Sequence, residues 1–135
     1  MDLSRSDIIG AARAYLGVPY LHQGRTRQGL DCVGLLLCVA HDLGITDYEI
    51  DHYSRVPSGR MMQRLLAKHV TRVPLSDLHT ADILHIAFQQ QPQHLAFVTD
   101  KGMIHADSRH GVVEHHLVDP WRSRIRAAYR VPGVE

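Results

Sequence analysis

The spacing of apolar residues changes halfway along this chain, and that change limits the folds it can adopt. Before about residue 70, apolar residues recur at the three- and four-residue intervals of an amphipathic helix. After residue 80 they alternate with other residues, as in strands with one buried face. Turn-forming segments such as Asp100-Lys101-Gly102 and Asp119-Pro120 separate the alternating stretches. Helices followed by an antiparallel meander predict an α+β domain, with N-terminal helices packed on an antiparallel β-sheet.

Three helices are predicted from apolar spacing, capping residues and helix-ending glycines. In the first, Ile8, Ala12, Tyr15 and Leu16 are predicted to share one apolar face. The predicted segments run from Ser4 or Ser6 to Gly17 and Pro19, from Cys32 to Gly44, and from Ser58 to His69. The predicted strands are Ile83 to Phe88, His94 to Thr99, Met103 to Ala106, Val112 to His116 and Ile125 to Val131.

Length, composition and charge predict a single folded domain and do not favour binding to nucleic acid or membranes. The 135 residues are one domain's worth, and we expect a single domain over residues 1–135. With 44% hydrophobic and 21% charged residues, a disordered chain is excluded. Lys plus Arg number 15 against 14 for Asp plus Glu, so no basic excess predicts binding to nucleic acid or to an anionic membrane.

The sequence predicts neither a membrane-spanning segment nor an N-terminal signal peptide. No apolar run approaches the ~18 residues of a membrane span. The polar start of the sequence is not followed by the apolar segment of a signal peptide. We therefore expect synthesis in the cytoplasm, with any extracellular role requiring another route of delivery.

Cys32 is the most informative single residue. It follows Asp31 and opens the most apolar predicted helix, where unpaired N–H groups and the helix dipole favour thiolate. We therefore expect its pKa to lie below the usual value of about 8.5. A buried structural cysteine is the alternative interpretation, and it is the favoured one for Cys38. Six helical residues separate the two Cα atoms by roughly 9 Å, too far for a disulfide.

A cysteine nucleophile needs a base, and His94 and His105 are the best candidates. They lie on consecutive predicted strands. If the connecting loop has an even number of residues, Ala96 lies opposite His105 and His94 is diagonal to it on the same face. A three-residue loop would place the histidines on opposite faces. The spacing therefore permits a Cys–His–His relay, although two unrelated histidines in a hairpin would produce the same pattern.

These residues stand in sequence contexts that occur together, and in this order, in one known family. The contexts are Ala11 to Tyr20, Gly24-Arg25, Gly29 to Leu35, Thr80 to Leu84, His94 to Val98, Met103 to Ala106, Val112 to His115 and Ala127 to Pro132. Together they resemble the NlpC/P60 cysteine peptidases, and they look most like the short phage-tail members. The most specific part is the Asp-Cys-x-Gly segment, with Tyr20 twelve residues before Cys32.

The resemblance implies a papain-like fold and hydrolysis of peptidoglycan stem peptides, at the bond between D-γ-glutamate and a diamino acid. It implies that Cys32 is the nucleophile, His94 the base and His105 the group that orients the base, with no cofactor or metal. Tyr20 would line the oxyanion and substrate side, and Asp31 would flank the substrate groove. Peptidoglycan peptides and other phage-tail proteins would be the partners, and the virion tail or the cell wall the location.

Two departures from the family pattern leave these catalytic groups in place. Ala96 stands where the family usually has glycine two residues after the histidine, and Thr80-Ala81 replaces Pro-Gly. The chief rival interpretation is a structural tail protein that keeps the fold without useful turnover.

A third interpretation is a metal-dependent hydrolase that uses the histidine-rich hairpins. The chain has no His-Glu-x-x-His or Cys-x-x-Cys motif, and strand alternation is expected to scatter the candidate ligands over both faces. These candidates are His105, His110, His115 and His116. Four arginines are predicted to share one face of the last strand: Arg122, Arg124, Arg126 and Arg130. They would either protect an exposed sheet edge or contact an anionic wall polymer or a tail partner.

Overall fold

The computed structural model describes residues 2–50, 53, 59–88 and 93–134. It has the predicted α+β architecture, with three helices and an antiparallel sheet. The helices are α1 (Arg5–Arg13), α2 (Cys32–Asp42) and α3 (Gly59–His69). The strands are β1 (Arg25–Thr26), β2 (Gly29–Leu30), β3 (Thr71–Val73), β4 (Ile83–Ile86), β5 (His94–Thr99), β6 (Gly102–Asp107), β7 (Gly111–His115) and β8 (Ile125–Arg130).

Helix α1 begins where the sequence predicts and ends earlier. Ser4 is the N-cap and forms a capping box with Asp7. The last helical residue is Arg13, and Gly17 turns the chain at φ 86° and donates its N–H to the carbonyl of Val112. This bond directs the chain toward β7, so the predicted continuation of the helix to Gly17 is wrong. Leu16 is consequently 45% exposed, rather than on the buried face.

Helices α2 and α3 follow the predicted pattern. Cys32 is the first residue of α2, and Asp31 is its N-cap. Gly44 lies just beyond the end of α2 with φ 68°, as expected of a glycine that ends a helix. Helix α3 ends at His69 as predicted, while the predicted cap Ser58 lies outside the described residues.

Among the described residues, the main sheet has six strands in the order β3-β8-β4-β5-β6-β7, and every neighbouring pair is antiparallel. Strands β4 to β7 form the predicted meander, but the prediction is wrong for β8, which returns to pair with β4 and β3. The five predicted strands are present with ends within two residues of those expected. Strand β3 and the small β1-β2 hairpin were not predicted, since two or three residues are too few to show alternation.

The interpretation of the C-terminal arginines as one face of an edge strand is wrong. Arg122 and Arg124 belong to a short 3-10 helix that precedes β8. Strand β8 lies inside the sheet, between β3 and β4. Arg130 binds the carboxylate of the buried Asp82 at 2.8 Å, so it holds the sheet to the turn before β4.

The two faces of the sheet are covered differently. The helices cover one face, which includes Leu95, Phe97 and Ile104, and α2 packs against both β5 and β6. The other face carries a smaller apolar cluster that packs against Trp121 and the chain before β8: Leu84, Ile86, Ala96, Met103 and Ala128. None of the described helices is both long and apolar enough to cross a lipid bilayer.

The departure from the family pattern at Thr80-Ala81 has a structural counterpart. Ala81 is buried and has φ 71°, in the left-handed region that favours glycine. It therefore occupies a backbone conformation for which the family's usual glycine is better suited.

Candidate active site

Cys32 lies at the N-terminus of α2, against the beginning of β5. The helix start is fixed by Asp31, whose side chain accepts a hydrogen bond from the N–H of Gly34 at 2.7 Å. Cys32 is buried, and its Sγ lies 3.8 Å from the carbonyl oxygen of Gln93, to which the thiol donates. Since Gln93 directly precedes His94, the sulfur sits beside the strand end from which His94 projects.

The pKa of the Cys32 thiol is raised to about 12 rather than lowered. Burial is the main cause, since it disfavours the charged thiolate, and the neighbouring Asp31 carboxylate adds to it. Hydrogen bonds from the backbone at Leu95 and Val33 act in the opposite direction but are weaker. The expectation of a lowered pKa is therefore wrong, because helix position alone does not include desolvation or the adjacent carboxylate.

Asp31 is the centre of a buried group of hydrogen bonds, here called the Asp31 network. Besides Gly34, its carboxylate accepts from the N–H of Gln23 at 2.7 Å, from the hydroxyl of Tyr53 and from Arg25 Nη1 at 3.4 Å. Arg25 Nη1 also donates to the Tyr53 hydroxyl at 3.1 Å. The network joins the loop before α2 to the chain at residue 53, and so fixes the backbone on one side of Cys32.

Close packing of the loop on α2 depends on Gly34. A Cβ atom at this position would lie 2.2 Å from the carbonyl oxygen of Gly24, closer than any tolerated contact. The glycine of the Asp-Cys-x-Gly segment therefore allows the loop carrying Arg25 to lie directly on the helix.

His94 and His105 are directly hydrogen bonded, as the even-loop alternative predicts. Thr99 pairs with Gly102, so two residues, Asp100 and Lys101, connect β5 to β6. The register places both imidazoles on the sheet face opposite the helices, with His94 Nε2 2.7 Å from His105 Nδ1. Both side chains are fully buried.

Burial keeps both imidazoles uncharged at neutral pH. It lowers the pKa of His94 to about 4 and that of His105 to about 2, since the charged form loses its hydration. His94 Nδ1 has no hydrogen-bond partner among the described residues. The site therefore combines a neutral thiol with a neutral imidazole that has one nitrogen unengaged.

Sequence reasoning missed two groups beside these histidines. His115 was considered only as a metal ligand, but its Nε2 lies 2.8 Å from His105 Nε2. The indole of Trp121 packs against His94, His105 and His115, with ring centroids 4.6 to 6.1 Å apart. Strand alternation places His115 opposite Met103, diagonal to His105, but this could be seen only once the β6-β7 register was known.

The other histidines considered as metal ligands lie elsewhere. His110 is exposed and bonds the Asp107 carboxylate at 2.7 Å, and the side chain of His116 is also exposed. Within the described ranges, no group of three or more His, Cys, Asp or Glu residues is arranged to hold a metal ion. The expectation that alternation scatters these residues is wrong for His105 and His115, which share a face.

Tyr20 and Cys38 have different surroundings from Cys32. Tyr20 is partly buried and forms a backbone bridge with Leu30, which places it near the loop that leads into Cys32. Its role toward an oxyanion or substrate stays a prediction, as does that of Asp31. Cys38 is buried one and a half turns along α2, with Sγ 3.3 Å from the carbonyl of Arg25.

Comparison with known proteins gives a consistent family match. A family model described as the NlpC/P60 family matches residues 17–130. No curated protein sequence matches the chain. Solved structures do: an NlpC/P60 family protein from Bacillus cereus superposes with a TM-score of 0.74 at 23% identity over 97% of this chain. This chain spans 41% of that protein, so it corresponds to less than half of its length.

Two further structures match along nearly their whole length. The NlpC/P60 domain of the peptidoglycan hydrolase SagA has a TM-score of 0.68 at 22% identity, covering 96% of this chain and 100% of that one. The P60 domain of an antigen from M. avium subspecies paratuberculosis has a TM-score of 0.63 at 17% identity, covering 96% and 94%. At these identities, the superpositions show a shared fold.

Proposed function

Because the chain belongs to the NlpC/P60 family, we propose that it is a cysteine peptidase that hydrolyses peptide bonds in peptidoglycan. The observation that carries the proposal is the hydrogen-bonded pair of His94 and His105, on the strand whose preceding residue, Gln93, accepts a hydrogen bond from the buried thiol of Cys32. A nucleophile, a base and a group that orients the base are the parts that thiol-dependent acyl transfer requires.

The first half of the reaction forms a thioester. As Cys32 Sγ attacks the substrate carbonyl carbon, the thiol proton passes to Nδ1 of His94, the nitrogen without a partner. The tetrahedral intermediate then breaks its C–N bond, and His94 returns the proton to the departing amine. Backbone N–H groups at the start of α2, with Tyr20 on the substrate side, stabilise the oxyanion.

The second half restores the enzyme. A water molecule attacks the thioester carbonyl and gives its proton to His94, and the carbon–sulfur bond breaks. The acid product leaves, and the proton on His94 returns to the sulfur. In this scheme the thiol ionises only as it attacks, which agrees with a raised pKa at Cys32 and a lowered pKa at His94.

The proposed bond is the one between D-γ-glutamate and a diamino acid in the stem peptide. Support comes from the sequence contexts of Tyr20, Cys32, His94 and His105, which follow the family pattern in order. The NlpC/P60 domain of the peptidoglycan hydrolase SagA shares the fold over its full length. We further propose delivery to the cell wall as part of a phage tail, on the sequence resemblance to the short tail members.

Digestion of purified muropeptides, followed by mass analysis, tests the proposal. The wild-type protein is expected to yield two fragments whose masses sum to that of the substrate plus one water, one ending in D-γ-glutamate. Cys32→Ala should yield none, because it lacks the nucleophile. Cys38→Ala is the matched control, since it removes a buried thiol from the same helix, and it should retain most activity.

The same assay identifies the rival function. If folded wild-type protein leaves every muropeptide intact, the peptidase proposal fails, and a structural tail protein that retains the fold becomes the better description. Cleavage that persists in Cys32→Ala would instead show that a different group is the nucleophile.

A further inference from the structure

The catalytic histidine pair continues into a longer series of hydrogen bonds, here called the histidine chain. His94 Nε2 bonds His105 Nδ1 at 2.7 Å, and His105 Nε2 bonds His115 Nε2 at 2.8 Å. His115 Nδ1 in turn bonds the backbone carbonyl oxygen of His116 at 2.9 Å. Each internal imidazole therefore uses both ring nitrogens.

The carbonyl at the end of the histidine chain sets its direction. A carbonyl oxygen can only accept, so His115 Nδ1 must carry the hydrogen, and in its uncharged form the ring then accepts at Nε2. His105 consequently donates from Nε2 and accepts at Nδ1. His94 donates from Nε2, which leaves Nδ1 as an unprotonated nitrogen. That is the state in which His94 can accept a proton from a thiol.

We propose that His115 is a positioning residue, which holds His94 in the tautomer with an unprotonated Nδ1 by accepting a hydrogen bond from His105. Only its expected effect on turnover rests on the proposed peptidase function. The tautomer itself is a property of the folded protein and can be measured without substrate.

The surroundings of the histidine chain support a fixed direction. His94 and His105 are completely buried, so water cannot supply alternative partners to their nitrogens. Trp121 packs on all three rings. His115, at the end of β7, is partly exposed, so its substitution disturbs less of the core than substitution of His105.

Reversing the direction would remove the base. If residue 115 could only donate, His105 Nε2 would have to accept, and His105 Nδ1–H would donate to His94 Nε2. The hydrogen of His94 would then sit on Nδ1. Lysine is a residue that can only donate, whereas glutamine has an amide oxygen that can accept.

Nitrogen-15 NMR of histidine-labelled protein, with hydrolysis measured in parallel, tests the inference. Wild type is expected to show His94 with hydrogen on Nε2. His115→Gln should keep that tautomer, with kcat reduced less than about tenfold, whereas His115→Lys should move the hydrogen to Nδ1 and lower kcat about 100-fold. Since His115 does not contact substrate in this scheme, KM should stay near the wild-type value.

His110→Lys is the matched control. It adds the same charge at an exposed histidine before β7, which bonds Asp107 and lies outside the histidine chain. Its His94 tautomer and kcat should match wild type.

Two results overturn the inference. One is hydrogen on Nδ1 of His94 in wild type, which needs no variant and so is unaffected if a substitution fails to fold. The other is an unchanged His94 tautomer in folded His115→Lys. If wild type hydrolyses nothing but shows the expected tautomers, the proposed function fails and the assignment of His115 stands.

Discussion

Two hydrogen-bonded groups meet at Cys32, and they differ in charge and in how completely they are bonded. The Asp31 network is ionic: a buried carboxylate accepts from two backbone N–H groups, a tyrosine hydroxyl and a guanidinium. In the histidine chain, burial keeps His94 and His105 uncharged, and the bonds run in one direction from His94 to a backbone carbonyl. Each carboxylate oxygen of Asp31 accepts two hydrogen bonds, whereas Nδ1 of His94 has no partner among the described residues.

From the sequence, the position of Cys32 at a helix start was expected both to hold the thiol in place and to lower its pKa. The structure separates these two effects. The Asp31 network fixes where α2 begins, but its negative charge also raises the pKa of Cys32. His94 and His105 supply no charge to offset this, because burial keeps both rings neutral. In the proposed mechanism, the residues that position the thiol therefore differ from those that take its proton, and each set can be disrupted separately.

Loss of the base should have the largest effect. We expect His94→Ala to lower kcat by about 10²- to 10⁴-fold, because no other group takes the thiol proton. His105→Gln should retain measurable turnover, since it can still bond His94, and His105→Ala should retain less. Steady-state hydrolysis of a defined muropeptide measures this order, and equal activity in His94→Ala and wild type would exclude a catalytic histidine chain.

Acid should destabilise the protein through the same histidines. Their pKa values in the folded state lie below the unfolded value of about 6.5, so their contribution is fully present above pH ~6.5 and is lost as pH falls. Because the pKa of His94 in the folded protein is about 4, its uptake of a proton should lower the free energy of unfolding by about 3 kcal/mol as the pH falls from ~6.5 to ~4.

Urea unfolding at several pH values measures this loss. His94→Gln should flatten the dependence, because the group that takes up the proton is gone. The control His110→Gln removes an exposed histidine from a turn and should keep the wild-type slope. A wild-type stability that does not change between pH ~6.5 and ~5 would show that His94 is not buried as a neutral group.

Removing the negative charge of Asp31 should have smaller effects, on the free energy of unfolding and on the pKa of Cys32. Asp31→Asn keeps an N-cap acceptor but leaves Arg25 without its buried carboxylate partner, so we expect a loss of about 2 kcal/mol in unfolding free energy. It should also lower the pKa of Cys32, because the adjacent negative charge is gone. The pH dependence of iodoacetamide alkylation, read at Cys32 by mass spectrometry, measures the second effect.

The exposed Asp47→Asn is the control for that experiment and should leave both quantities unchanged. If Asp31→Asn alkylates with the wild-type pH profile, the carboxylate does not act on the sulfur. The Asp31 network would then position Cys32 without affecting its pKa.

The smallest expected effect comes from a single donor of the Asp31 network. Tyr53→Phe removes the hydroxyl that donates to Asp31 and should cost about 1 kcal/mol in unfolding free energy. Turnover should fall little, because the histidine chain is untouched. A decrease in kcat as large as that of His105→Ala would place Tyr53 in the reaction itself.

Several features could be predicted from the sequence because they depend on neighbours along the chain. Alternation and turn residues located β5 exactly, and the same signals placed four other strands within two residues. Asp31 and the apolar run after Cys32 marked the start of α2 for the same reason. The spacing of His94 and His105 limited their geometry to two alternatives, and the two-residue loop selected the bonded one.

Other features arise only from contacts between distant segments. Leu16 is exposed because Gly17 bonds Val112, 95 residues away in sequence, and the edge-strand interpretation failed because β3 pairs with β8. The pKa of Cys32 depends on desolvation by surrounding segments, which no local pattern contains.

The chain's own sequence thus determined which residues could react, because residue types and local spacing are written in it directly. The tertiary structure decided their protonation and partners. Burial sets the charge of Cys32 and His94, and strand register brings His115 to His105. Burial and strand register both depend on atoms from separate parts of the chain, so they are set only when those parts pack together.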